Sequence, residues 1–275
     1  MNPPSSPTAE FEQAFAQWTG LKHAFAFWKG RVAFYTLLRA LGAGSGDQVL
    51  LPGYTCVMNV NPIKYVGATP TYVDIDPDTF NMNPELLART EAPRAKLLLA
   101  QHTYGNPCEL DALEAEANRR GIPLIEDCCL ALGSRYRGRL CGTRGRAAYW
   151  SFQWNKHMTT GLGGMLATND SQLAARIREI REQEMQTPSG KLAGVLSAQR
   201  LTHTVGVYPR TTALITAVFR WLSKRGAIIG SNAPDDLDAR MAPDFFMGMS
   251  AGQARTGLRK LRHLDDNIAH RRQMR

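Results

Sequence analysis

No charge-free apolar run in the sequence is long enough to cross a bilayer. The opening stretch, Met1-Asn-Pro-Pro-Ser-Ser-Pro7, carries neither the basic nor the apolar region of a secretory signal, so a cytoplasmic location is expected. Cysteine is scarce: the five thiols (Cys56, Cys108, Cys128, Cys129, Cys141) are odd in number and show no paired metal-ligand spacing. Reduced, buried thiols and no metal site are therefore expected. A Walker-type lysine, a dinucleotide-binding glycine pattern and an internal repeat are all missing. Acidic residues are the minority, 24 against 33 Lys and Arg, which leaves a formal charge of +9. That charge would suit a polyanion, but no nucleic-acid motif accompanies it, and a small phosphorylated substrate is drawn equally well. Neither nucleic acid nor a membrane is expected as a partner.

The chain does hold enough apolar material for a large core, with 275 residues and 44% hydrophobic content. Residues 1 to 8 contain three prolines and read as a loose arm. Glu10 to Trp18 reads as a helix, with Phe11, Phe15 and Trp18 on one face and Gly20 ending it. Ala24 to Trp28 follows as an apolar strand, and Val32, Tyr35, Leu38 and Leu41 then repeat at helical spacing. The alternation continues through strands at Gln48 to Pro52, Thr71 to Asp74, Lys96 to Gln101 and Ile122 to Asp127. Helices are predicted between them near 56 to 66, 84 to 89 and 109 to 120. This order predicts an α/β fold, a mostly parallel central sheet flanked by helices on both faces.

Gly190 to Asp244 is less readable, apolar with interspersed arginines from Val205 to Trp221, then a connecting loop from Arg225 to Pro234. Met249 to Arg275 is predicted as one helix, with Leu258, Leu261, Leu264 and Ile268 as its apolar stripe and a basic, solvated face around it.

In such sheets ligands gather at the carboxyl ends of strands, which singles out Gly30, Tyr54, His102, Asp127, Ser151 and Lys156. The apolar run Ala147 to Phe152 reads as a buried strand that delivers Lys156 into a turn rich in glycine (Gly161, Gly163, Gly164). A lysine there is either a solvated surface residue or a reactive amine able to form an imine with an aldehyde. Asp127 closes an apolar strand, where a carboxylate either caps the next turn or meets a cation or several donors. The helix start after Gly30 presents backbone N–H groups to an anion, and Arg31 adds a guanidinium; an ordinary turn with a solvated arginine is the alternative. An amine, a carboxylate and a phosphate nest together suit pyridoxal 5'-phosphate.

The sequence also resembles the DegT/StrS nucleotide-sugar aminotransferases of the fold type I pyridoxal-phosphate enzymes. The resemblance runs through Gly42 to Pro52, Gly67 to Thr79, His102-Thr-Tyr-Gly105, Ile125-Glu-Asp127, Ser151-Phe-Gln-Trp-Asn-Lys156 and Thr168 to Arg181. It implies an aspartate-aminotransferase-like large domain, with an arm and helix in 1–20, the cofactor-binding core in 21–184, a poorly matched connection in 185–244, and in 245–275 the start of a helix leading toward a small domain. It also implies Lys156 as the cofactor-linked lysine, Asp127 on the pyridine nitrogen, and Ser151 and Gly30 at the phosphate. The implied reaction moves an amino group from an amino acid, usually glutamate, to a nucleotide-linked keto sugar, in a homodimer.

Four departures stand out. Arg31 replaces a Ser or Thr, and Cys56 an aromatic that stacks on the ring, a place Tyr54 or His102 is left to fill. Leu130 replaces a Gln or His, and Phe246 to Ser250 replaces a stretch bearing Asn and Arg. Relatives also continue into a small α/β domain beyond the point where this chain stops. A member that binds the cofactor yet is catalytically silent or incomplete, serving as an assembly partner, is the alternative. A dehydratase is disfavoured, because such members carry His in place of the lysine.

Overall fold

The structure, a computed structural model, describes residues 6–206, 208, 210–225 and 239–274. Helix α1 (Pro7–Thr19) begins earlier than the loose arm predicts, because Ser6 caps it and Pro7 occupies the first turn, where a missing N–H costs nothing. Gly20, at φ 75°, ends it as expected. The chain then alternates: β1 (His23–Phe27), α2 (Gly30–Ala40), β2 (Gln48–Pro52), α3 (Val57–Tyr65), β3 (Thr69–Val73), α4 (Pro84–Arg89), β4 (Ala95–Gln101), α5 (Leu110–Arg119) and β5 (Leu124–Asp127). A two-stranded ribbon, β6 (Arg135–Tyr136) and β7 (Arg139–Leu140), precedes β8 (Ala147–Ser151), β9 (Gly164–Thr168) and α6 (Ser171–Glu184). Helices α7 (Gly190–Gly206), α8 (Thr212–Lys224), α9 (Ala251–Leu261) and α10 (Leu264–Gln273) complete it.

Seven strands form one sheet in the order β1-β9-β8-β5-β4-β2-β3. It is mostly parallel; β9 alone runs against both its neighbours, β1 and β8. The strand at β9 was hidden in the sequence because Gly164, following Gly161 and Gly163, read as part of a turn, although Gly164 to Thr168 are all buried. Alternate strand residues enter opposite cores, as a period of two requires. Val49, Leu51, Leu97, Leu99, Ile125 and Tyr149 pack beneath α2 and α6. Leu50, Leu98, Ala100 and Leu124 meet α5, while Ala148, Trp150, Met165 and Ala167 meet α1 and α9. Burial on both faces is what near-continuous apolar strands imply.

The predicted terminal helix is two helices, α9 and α10, broken at Arg262 and His263. A capping box between Ser250 and Gln253 fixes the start of α9. The loop predicted from Arg225 to Pro234 lies, after Arg225, outside the described residues.

Candidate active site

The carboxyl ends of β1, β2, β4, β5 and β8 open on one cavity of about 380 Å3. Gly30, Arg31, Tyr54, Cys56, His102, Asp127, Ser151 and Lys156 all line it. The residues nominated from the sequence are thus brought to one place, though not in equivalent ways.

Asp127 ends β5 with its side chain on the cavity face. Its Oδ2 accepts from the Asn59 amide at 2.7 Å and its Oδ1 from the Cys129 backbone N–H at 2.9 Å. A carboxylate accepts at about four positions, so capacity remains toward the cavity. Asn59 lies one turn into α3, where the Tyr149 hydroxyl donates to its Oδ1 at 2.8 Å. Gln101 lies level with Asp127 in the sheet register and accepts at Oε1 from Thr55 Oγ1 (2.6 Å) and from Asn59 (3.2 Å). Its Nε2 donates to the Tyr54 carbonyl and to Thr103 Oγ1 at 3.0 Å. This buried network fixes the carboxylate's position and supports the loop that carries Tyr54, Thr55 and Cys56. Burial pushes the Tyr149 and Cys129 ionisations well up; nearby Asp127 adds to both, and Lys156 opposes the shift at Cys129.

His102 lines the cavity, but its ring nitrogens are engaged elsewhere. It follows Gln101 and so faces the other side of β4, where Glu126, the residue before Asp127, also points. The His102 ring is 1% exposed, lies 3.0 Å from Glu126 through Nε2, and accepts the Cys108 N–H at Nδ1. With Nδ1 accepting, the proton sits on Nε2 and is donated to Glu126, so neither nitrogen is left for the cavity. Glu126 also accepts from the backbone N–H groups of Gly142, Arg144 and Gly145 at 2.7–2.9 Å. Burial alone would raise its ionisation, but His102 and these donors outweigh that and hold it below the usual carboxylate range. His102, Glu126 and Cys128 place possible ligand atoms within 4.8 Å of one another, yet this is a hydrogen-bonded cluster whose histidine is already committed on both sides.

The opposite end of the cavity is the head of α2. Gly30 is its first residue, and Lys29, the N-cap, supplies no side-chain cap. A methyl group at Gly30 would stand 3.0 Å from Ser151 Cβ, and one at Gly164 would stand 2.7 Å from the Gly30 backbone. Glycine is therefore required where β1, β8 and β9 converge on the helix head. Lys29 pairs instead with Asp244 at 2.8 Å; Trp28 Nε1 also donates to Asp244. Burial would raise the Asp244 ionisation, but Lys29 and Trp28 lower it on balance.

Lys156 sits in the loop between β8 and β9, where its backbone N–H closes a turn on the Gln153 carbonyl at 3.0 Å. Tyr54 lies at the cavity mouth, its hydroxyl bonded to that of Tyr104 and its ring beside Phe80. Cys56 is the N-cap of α3 and Leu130 supplies apolar wall. Amine, carboxylate and helix head therefore ring one cavity, a donor set that fits pyridoxal phosphate.

A family description, the DegT/DnrJ/EryC1/StrS aminotransferases, matches residues 5–220. The chain belongs to this family. GDP-perosamine synthase of Caulobacter vibrioides is 44% identical over 176 residues, 64% of this chain and 47% of that protein. The chain spans about half the length of the curated relatives it matches. An aminotransferase from Psychrobacter cryohalolentis superposes with a TM-score of 0.70 at 27% identity, over 94% of this chain and 57% of that one. NtdA from Bacillus subtilis, solved with bound cofactor PMP, gives 0.61 at 26% identity, over 66% of this chain and 41% of that one. The mostly parallel α/β core is thus the fold of DegT-family aminotransferases.

Asn59, Gln101, Glu126 and Asp244 were missed by the sequence reading. Strand parity alone would have placed Gln101 with Asp127 and His102 with Glu126 once β4 and β5 were paired. Asn59 reaches the cavity from a helix, Asp244 holds the cavity-lining Lys29 from the 239–250 segment, and no local pattern marks either.

Proposed function

We propose that the protein is a pyridoxal-phosphate-dependent aminotransferase that moves an amino group from an amino acid, glutamate in the first instance, to a nucleotide-linked keto sugar. The observation that carries this is Lys156 and Asp127 lining one cavity whose third wall is the head of α2. When bound, pyridoxal phosphate supplies an aldehyde and a ring that takes up electrons. Lys156 is the amine that would hold the aldehyde and would carry the proton at the substrate carbon. Asp127, held by Asn59 and Cys129, keeps the proton on the ring nitrogen. Gly30, Arg31 and Ser151 hold the phosphate, with the backbone N–H groups of α2 favouring its charge. Tyr54 and Cys56 would border the ring, and Leu130 would offer it an apolar wall and no side-chain donor.

The 44% identity to a protein named GDP-perosamine synthase supports a GDP-linked keto sugar as the first acceptor to try. The working unit is proposed to be a cytoplasmic homodimer, checked by sedimentation mass. The decisive experiment loads the protein with pyridoxal phosphate, fixes it with borohydride and maps the modified peptide. Modification at Lys156, followed by spectral conversion with glutamate, is expected; modification elsewhere removes the proposal. The apolar Leu130 favours one second reading, a cofactor-binding but silent member. Fixation at Lys156 with no conversion by any amino acid would select it.

A further inference from the structure

We propose that α7 and α8 form a docking surface for an anionic lipid bilayer, on which the protein lies peripherally. Between Glu184 and Asp235 the sequence contains no acidic residue and six cations, Lys191, Arg200, Arg210, Arg220, Lys224 and Arg225. In the same stretch α8 carries two apolar stripes. Ile215, Phe219 and Leu222 form the inner one: Phe219 meets Trp154 with ring centroids 6.5 Å apart, and Ile215 packs over Gly206. Leu214, Ala217, Val218 and Trp221 form the outer one, at a spacing that keeps them on one face, and all four are exposed. Leu201 and Val205 of α7 and the nearby Tyr208 add exposed apolar surface, the two aliphatic residues more than 60% accessible.

A solvent-facing stripe of this extent marks a contact surface. Its charge selects the partner. Arg210, Arg220 and Arg225 are exposed, no carboxylate pairs with them among the described residues, and Arg225 lies 3.9 Å over the Trp221 ring. A second copy meeting this face would oppose arginine to arginine, whereas an anionic leaflet neutralises the arginines and takes up the stripe between them. Trp221 and Tyr208 suit the headgroup level, where amphipathic rings settle. Among the described residues no helix is long and apolar enough to cross a membrane, and the 13 residues of α8 reach only about 20 Å against a hydrocarbon core of about 30 Å. The contact therefore lies along the surface. It makes no use of Lys156 and stands or falls apart from the transamination reading.

The test is co-sedimentation of the full chain with vesicles of phosphatidylcholine alone and of phosphatidylcholine with phosphatidylglycerol in equal parts. Binding to the second and not the first, weakening with added salt, is expected. Exchanging Leu214, Val218 and Trp221 for Ser together should lower vesicle partition by about ten-fold or more. R220Q and R225Q should each lower it about five-fold. Unchanged Tm in the variants shows that folding is not the cause. Failure to bind either vesicle, or full binding by the triple variant, overturns the proposal. So does concentration-dependent self-association, or retention on poly(U) RNA, in place of vesicle binding.

Discussion

The cavity wall built by β4 and β5 and the helical pair α7–α8 handle mismatched groups in opposite ways. The wall buries ionic and amide groups and gives each one partners: four donors on Glu126, two on Asp127, and bonds at both ends of the Gln101 amide. The helical pair leaves large apolar groups exposed, Leu201, Val205, Leu214, Val218 and Trp221 among them. Buried polarity is tolerated where positions are fixed in advance, and uncovered apolar surface where the partner lies outside the chain. One region is specified from within, the other by what it meets.

The sharpest break in this comparison is Lys156→Arg, which keeps the charge and removes the amine. Turnover should fall by roughly 10²–10⁴-fold or more, with no borohydride-fixed cofactor, while the denaturation midpoint of the cofactor-free protein stays put. Glu126→Ala comes next, expected to cost about 3–5 kcal/mol in urea unfolding, because three backbone donors and His102 lose their acceptor in the interior. Its pH dependence has a definite sign. The folded ionisation is depressed, so the stability Glu126 contributes is present above the ordinary glutamate range and is lost as pH falls through the lowered value. The gap between wild type and Glu126→Gln should therefore close in acid; a constant gap would show that the charge is not what the turn at 142–145 responds to.

Asn59→Leu should cost about 1.5–3 kcal/mol, the range for a hydrogen bond to a charged group, read as weaker cofactor binding in a fluorescence titration. A change in unfolding without a change in cofactor affinity would detach Asn59 from the site. Glu116→Gln tests a fully partnered acid far from the cavity. Its hydrogen bonds to Arg119 hold it near a pKa of about 2, with Arg120 adding to the effect. A loss of roughly 1–2 kcal/mol is expected at neutral pH, disappearing as pH falls from about 4.5 toward 2. The smallest effect belongs to the other region. Trp221→Ser on the open stripe should move stability by no more than about 0.5 kcal/mol, and a larger loss would mean that the stripe is covered within the chain.

The same contrast explains what could be read from the sequence. The order of strands and helices from α1 to β5, and the strand β8, was legible because buried strands and amphipathic helices carry their own periodicity, as at Lys96 to Gln101 and Glu109 to Arg120. That Gly30, Asp127, Ser151 and Lys156 would line one cavity was legible because strand ends are the places where such sheets gather ligands. Three features were not. The reversal at β9 was masked by its glycine, which is needed for close approach to Gly30 rather than for a turn. His102 was singled out by its place at the end of β4, and the strand-end rule does not show that the pleat turns its ring nitrogens toward Glu126 and Cys108. The break between α9 and α10 falls at Arg262 and His263, residues that do not announce a helix end, and Arg262 keeps helical dihedrals.

Glu126 and Asp127 are neighbours in sequence but serve opposite faces of the sheet, one anchoring a turn and the other the cavity. A frame slip of a single position in β5 would turn both acids to the opposite faces, with only one of them landing in the place the other held. Point changes at either acid are graded losses, whereas an inserted or deleted residue upstream in that strand would disable both faces together.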